Sequence, residues 1–310
     1  MPKAFDEFVN EIVDVLPEYM LDLDIQDIHI NKVMKNNNVE LTGMAILVVG
    51  QNVSPNMYME DYYNLHEAGV DTEEICRIIR DDYFDAVAQM NKNNMDVSNI
   101  FTDTSRIYMR LVNYEQNAKR LDASPYIRMS DLAIEFRYIV SNDDNGIASA
   151  AITYKQLESM NMTKAELYDI AKVNTSKHFP VVIKSLTDTL VNLGMPVEEL
   201  PPAEIDLLVV TNTQGINGAT AMLYPDVLSD VRNTIGDFYI LPSSVHEVLI
   251  LKKDSKMFDV MEMKNMVREI NNTVVRPQEI LSNEVYEYNE RTQEIYISGE
   301  DREADREIDI

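Results

Sequence analysis

Tryptophan is absent from this 310-residue chain, cysteine occurs once, and glycine occurs only nine times. Each shortage removes a class of chemistry. A single cysteine, Cys76, excludes an internal disulfide and a cysteine-built zinc site. It stands in "EEICRIIRD" beside Ile75, Ile78 and Ile79, the setting of a buried structural thiol. The few glycines match neither the Gly-rich phosphate loop nor the dinucleotide fingerprint. There is no H-E-x-x-H, and His29, His66, His178 and His246 are isolated from one another, so no metal and no cofactor is expected. No stretch approaches the roughly 18 apolar residues of a membrane helix. The opening "MPKAFDEFVNEIVDVLPEYM" carries acids where a secretion signal needs a basic block and then an apolar one. Bases are scarce too: 27 against 53 acids gives a net charge of −26. A field of that sign repels phosphate backbones and anionic lipid, so neither nucleic acid nor membrane is an expected partner. Together these point to the cytoplasm.

Apolar residues make up 45% of the chain, with sixteen Tyr and eight Phe, enough for real cores. Residues 4–16 set Phe5, Phe8, Val9, Ile12, Val13 and Leu16 at helical spacing, and Pro17 ends the run. "IQDIHINKVMKNNNVELTGMAILV" predicts a β-hairpin turning at its asparagines. "VDTEEICRIIRDDYFDAVAQM" predicts an amphipathic helix capped at Asp71 or Thr72, with Glu74 completing a capping box. "DLAIEFRYIVSNDDNGIASAAITYKQLESM" reads as strand, tight turn at Asp144-Asn145-Gly146, strand, short helix. A helix capped by Thr163 with Glu166 follows. "IDLLVVTNTQGINGATAMLYPDVLSDVRNTI" repeats the pattern, with a turn at Gly215 and a second strand before its helix.

These repetitions imply an α+β fold of repeated β-hairpin–helix units, mostly antiparallel sheets with helices packed on one face. The expected units are 1–95, 96–198 and 199–297, the last ending in a hairpin over "VYEYNERTQEIYI". An acidic disordered tail is expected over 298–310. The methionines, among them Met57, Met59, Met160 and Met162, fit core filling better than a partner surface.

The stretch closest to chemistry is "FYILPSSVHEVLIL". Ser243 or Ser244 as nucleophile, His246 as base and Glu247 as orienting acid is the catalytic version. Side chains so close in sequence diverge from helices and strands alike, and the serines lie outside any G-x-S-x-G. The capping-box spacing Ser244-Val-His-Glu247 instead predicts a strand end, a stop at Pro242 and one capped helical turn before "VLIL". Ser243, Ser244, His246 and Glu247, with Asn174 and Asn212 from two Asn-Thr pairs, form the candidate binding set, and no catalytic residue is assigned.

"ILPSSVHEVLIL" and the later "NNTVVRPQEILSNEVYEY" (Asn272–Tyr288 in its matching part) together resemble a large uncharacterised family of bacterial proteins common in gut Clostridia. Its members show "LPSSxHE" and then "NxTxVxPxEVLSDxVYxY"; here Ile280 stands for the usual Val and Asn283 for the usual Asp. "VELTGMAILVVGQNVSPNMYMEDYY" is similar to that family's opening hairpin, so the likeness spans nearly the whole chain. The region from Asp206 to Leu251 is more distantly similar to the YtpQ-like proteins, also uncharacterised. The resemblance implies a bacterial cytoplasmic origin and supplies no activity. The leading expectation is therefore a non-enzymatic scaffold that binds a protein or peptide. The alternatives are a hydrolase-like enzyme using Ser244 and His246 in a cleft and, from the acidity, a DNA mimic.

Overall fold

The computed structural model describes residues 3–299 except 52–53, 93–100, 144–145, 193, 197–206, 243 and 254–257. The expected turn at 144–145, most of the proline-rich loop at 192–206, Ser243 and the tail from 300 onward lie outside the described residues. The chain divides into two compact units: Met1–Lys35 with Val39–Ser98, and Asn36–Asn38 with Asn99–Ile310.

The first unit begins with helix α1 (Phe5–Val15), which passes at Leu16–Tyr19 into a 3₁₀ turn carrying Pro17. Strands β1 (Ile25–Met34) and β2 (Glu40–Val48) pair antiparallel, Ile30 opposite Met44. At the turn between them Asn37 and Asn38 take positive φ, a conformation asparagine tolerates. β3 (Asn56–Tyr58) adds to β2, and α2 (Met59–Glu67) and α3 (Thr72–Lys92) follow. The cap of α3 is Asp71, whose side chain accepts the Glu74 N–H at 2.8 Å. Phe8, Ile12 and Leu16 meet Met44, Ile46, Met59, Ile75, Cys76, Ile79 and Tyr83 in one core. Cys76 is buried as expected, and burial pushes its thiol up to about 11.

The second unit holds two antiparallel sheets. The four-stranded one comprises β4 (Ile107–Asn113), β5 (Tyr126–Met129), β6 (Leu132–Asp143) and β7 (Gly146–Ala151), with β6 pairing all the others. The six-stranded one is built from β8 (Val181–Ser185), β9 (Leu207–Asn212), β10 (Phe238–Leu241), β11 (Val248–Lys252), β12 (Tyr286–Asn289) and β13 (Glu294–Ile297), in the order β13-β12-β10-β11-β9-β8. The terminal hairpin β12–β13 is the one the alternating pattern predicts. Helices α4 (Tyr114–Leu121), α5 (Tyr154–Ser159), α6 (Lys164–His178), α7 (Leu186–Asn192), α8 (Val227–Ile235) and α9 (Val260–Thr273) complete it. Thr163 and Glu166 form the expected capping box at α6.

One core joins the segments on either side of residue 198: Met109, Leu111, Ile134 and Phe136 of the small sheet meet Val210, Ile240, Val248 and Ile250 of the large one. Helices are not confined to one face of the small sheet. Leu167 and Ala171 of α6 enter this core, while Leu121 of α4 packs on Val112 and Ala133, which point the opposite way. The edge of β4 is closed by hydroxyls, the Met109 N–H donating to Thr175 Oγ1 and the Leu111 N–H to Thr220 Oγ1.

Two expectations fail here. "GATAML" is no strand but a buried 3₁₀ helix, Gly218–Leu223, so the third hairpin is missing its second strand; β9 pairs β8 and β11 instead. The reason is close packing: a Cβ on Gly218 would fall within 3.0 Å of Thr211 Oγ1, the His246 carbonyl oxygen and Asn212 N. The segment after Pro242 is not a helical turn, because Ser244 and Val245 pair with Ile280, Glu279 and Ala219.

Candidate functional site

Residues 242–247 join β10 to β11, and Ser244 and Val245 among them are laced by their backbone to other segments. Ser244 bridges Ile280, the Val245 N–H donates to the Glu279 carbonyl at 2.8 Å, and the Val245 carbonyl accepts the Ala219 N–H at 3.2 Å. With these backbone groups engaged, a helical turn has no hydrogen bonds left to form. The Ser244 hydroxyl accepts the His246 N–H, two residues on rather than three, at 2.9 Å. It donates its own proton to Glu247 Oε1 at 2.9 Å. The serine–glutamate pairing is therefore real, but it closes a turn instead of capping a helix.

His246 sits half-buried at the centre of this weave. Its carbonyl accepts the Thr211 hydroxyl at 2.7 Å. Its Nδ1 accepts the Asn217 N–H at 3.4 Å, and its Nε2 lies 3.8 Å from Glu279 Oε1. An acceptor at Nδ1 assigns the proton to Nε2, facing the carboxylate. The ring is thus oriented by both nitrogens, and the lone pair a general base would use is directed at a backbone donor. Among the described residues no hydrogen bond joins the ring to Ser244, so a Ser244–His246 relay is not assembled.

The other candidate residues divide. Asn212, buried at the end of β9, donates to the Ile216 carbonyl at 2.8 Å and accepts the Gln214 N–H at 3.0 Å, closing the turn that delivers Asn217 and Gly218 to His246. Asn174 stands elsewhere: with its helix neighbour His178 it grips the Thr104 and Ser105 carbonyls and clips α6 to the turn before β4. Ser243 lies outside the described residues. Among those residues no group of three or more His, Cys, Asp or Glu side chains is placed to hold a metal ion.

Two polar clusters escaped the sequence reading. In the first, Asp131 at the β5–β6 turn receives the Ser282 hydroxyl at 2.6 Å and the Tyr286 hydroxyl, and Tyr286 also reaches Ser282 at 3.0 Å. Burial raises the Asp131 carboxyl above its ordinary range, although both hydroxyls pull it down. Burial, then the neighbouring Asp131, lifts the Tyr286 phenol well above its own. In the second, fully buried Glu135 on β6 meets Arg110 of β4 at 2.9 Å, Arg137 of β6 at 3.0 Å and Arg120 of α4. Burial alone would raise the Glu135 carboxyl; the Arg110, Arg137 and Arg120 charges overcome it and hold the value at about 2. The sequence signal was there for three of the four, charges alternating inside the apolar strands "YMRLV" and "AIEFRYIV".

An α+β protein of two units, its serine–histidine–glutamate segment woven into the backbone, is the class these features define. The chain belongs to a family of unknown function (DUF5688), whose model matches residues 5–290. No curated protein and no solved structure matches it.

Proposed function

We propose that the chain is a non-enzymatic scaffold of the bacterial cytoplasm that binds a protein or peptide partner. The observation that carries this reading is the outer edge of β1. This strand runs ten residues and pairs with β2 on one side only, and among the described residues no strand covers its other side. Ile30 and Met34 on it are 36% and 49% exposed. A long strand edge with apolar side chains is what an extended peptide adds to, its backbone supplying the missing hydrogen bonds. The engagement of Ser244, His246 and Glu247 in the fold's own bonds favours this reading over the hydrolase. One buried cysteine is in keeping with a reducing compartment. The experiment is affinity capture from the native host with the tagged full chain and with an Ile30→Asp/Met34→Asp variant whose circular dichroism is unchanged. A discrete partner recovered by the natural chain and lost from the variant is expected. Recovery of no partner, or of the same partner by both, refutes the reading.

A further inference from the structure

Among the described residues, the arginines around Glu135 carry a charge that no second carboxylate balances. Arg110, Arg120 and Arg137 contribute three positive charges and Glu135 one negative, and among the described residues no second carboxylate lies within 4.0 Å of any of them. All three guanidinium side chains are mostly buried, at 16%, 19% and 15% exposure, so water screens the surplus poorly. Two uncompensated charges held so far from solvent are costly unless an anion joins them.

The donors needed to hold that anion are present. Arg120 gives Nε and one terminal nitrogen to Asn117 Oδ1 and the other to Glu135. Arg137 is filled by Ser149 and Glu135. Arg110 differs. Its Nε meets Glu135, and among the described residues its two terminal nitrogens donate to nothing. They form the flat fork that matches two oxygens of one oxyanion. Across β6 from Arg110, on β7, Ser149 Oγ receives N–H from Arg137 at 2.9 Å and O–H from Tyr108 at 3.0 Å, leaving its own proton to donate. The cross-strand register sets these groups on one face, Arg110 opposite Glu135 and Tyr108 opposite Arg137.

We propose that this face of the four-stranded sheet is a binding site for a phosphate group, inorganic or carried by a small monoester. The surplus of two charges selects the class: a phosphate monoester carries about −1.5 to −2 near neutral pH, whereas a carboxylate cancels only one charge. Arg110 and the Ser149 hydroxyl bind the oxygens; Arg120 and Arg137, fixed by Asn117 and Ser149, supply charge without moving. The site stands on observations independent of the β1 edge, and either proposal survives the failure of the other.

Calorimetric titration of the full chain with inorganic phosphate, glycerol phosphate and acetate tests it, with sodium chloride at matched ionic strength as control. Saturable binding of phosphate is expected, with acetate at least about tenfold weaker, because losing one charged contact at a desolvated site costs about that factor. Tighter binding of glycerol phosphate than of inorganic phosphate assigns the monoester, and the reverse assigns the free ion. Arg110→Gln is expected to weaken phosphate by about tenfold or more while leaving Glu135 two arginine partners. Arg110→Lys, which keeps charge but not the fork, is expected to retain part of the affinity. Glu135→Gln changes the sign, since removing the competing carboxylate raises the surplus to three and tightens phosphate. The proposal is overturned if the natural chain gives no more heat with phosphate than with chloride, if acetate binds as tightly, or if both Arg110 variants bind like the natural chain.

Discussion

Replacing Glu135 by glutamine asks whether three arginines hold a fully buried carboxylate ionised. The acid's value falls from an ordinary 4.5 to about 2 against the opposition of burial. At about 1.4 kcal/mol for each tenfold change in proton affinity, that difference amounts to about 3 kcal/mol of folding stability at neutral pH. Because the folded value lies below the unfolded one, the contribution is complete above about pH 5 and is lost as pH falls toward about 2. Glutamine keeps the shape and cannot ionise. E135Q is therefore expected to be about 3 kcal/mol less stable than the natural chain at pH 7, in the range for breaking a buried ion pair. The gap narrows steadily once the pH drops below about 5. A chain with 53 acids loses stability in acid for many reasons, so the quantity to read is the difference between the two proteins. With no tryptophan to report unfolding, hydrogen exchange of peptides covering β4 and β6 in graded urea gives the local free energy. A gap of the same size at pH 7 and about pH 3, or one below about 1 kcal/mol at pH 7, refutes the electrostatic account and leaves only packing.

Two further outcomes follow from the geometry. Gly218→Ala places a methyl against Thr211, Asn212 and the His246 carbonyl. It is expected to cost about 2–4 kcal/mol by urea unfolding, from overpacking plus the lost Thr211–His246 hydrogen bond; a cost under about 1 kcal/mol contradicts the close approach. Tyr286→Phe removes the hydroxyl shared by Asp131 and Ser282. An expected loss of about 1–3 kcal/mol is checked in a double-mutant cycle with Asp131→Asn, where strict additivity would show the contact to be idle.

Local rules carried the sequence reading wherever an element depends only on its own residues. Apolar spacing located α1 and α3, and Asp71 and Thr163 marked helix starts because a cap needs only a side chain three residues from its amide. The β1–β2 and β12–β13 hairpins were legible from alternation around polar turns. Prediction failed where a partner distant in sequence takes the backbone. Ser244 and Glu247 have capping-box spacing, yet Val245 is claimed by Glu279 and Ala219, so the turn cannot wind into a helix. The small residues of "GATAML" suit a strand until Gly218 must fit between Thr211 and His246. Charges were visible at Arg110, Glu135 and Arg137, but their meeting depends on a strand register, and Arg120 arrives from a helix.

The residues that carry the family resemblance gain a physical meaning from the same long-range contacts. "LPSSxHE" and the "LSxxVYxY" segment are far apart in sequence and adjacent in space: Ser244 bridges Ile280, and the Ser282 N–H reaches the Pro242 carbonyl at 3.3 Å. Ser282 and Tyr286 then fasten this pair to Asp131, binding the large sheet to the small one. His246 belongs to the same weave through Asn217 and Glu279. Among the described residues, the polar groups of the two segments that sequence would nominate for catalysis are taken up by structural bonds: Ser244 and Glu247 by each other, His246 by Asn217, and Ser282 and Tyr286 by Asp131. A motif of this kind identifies the fold and leaves the activity open. Arg110, whose terminal nitrogens donate to nothing among the described residues, and Ser149 lie in neither segment and sit on the opposite face of the small sheet from the shared core.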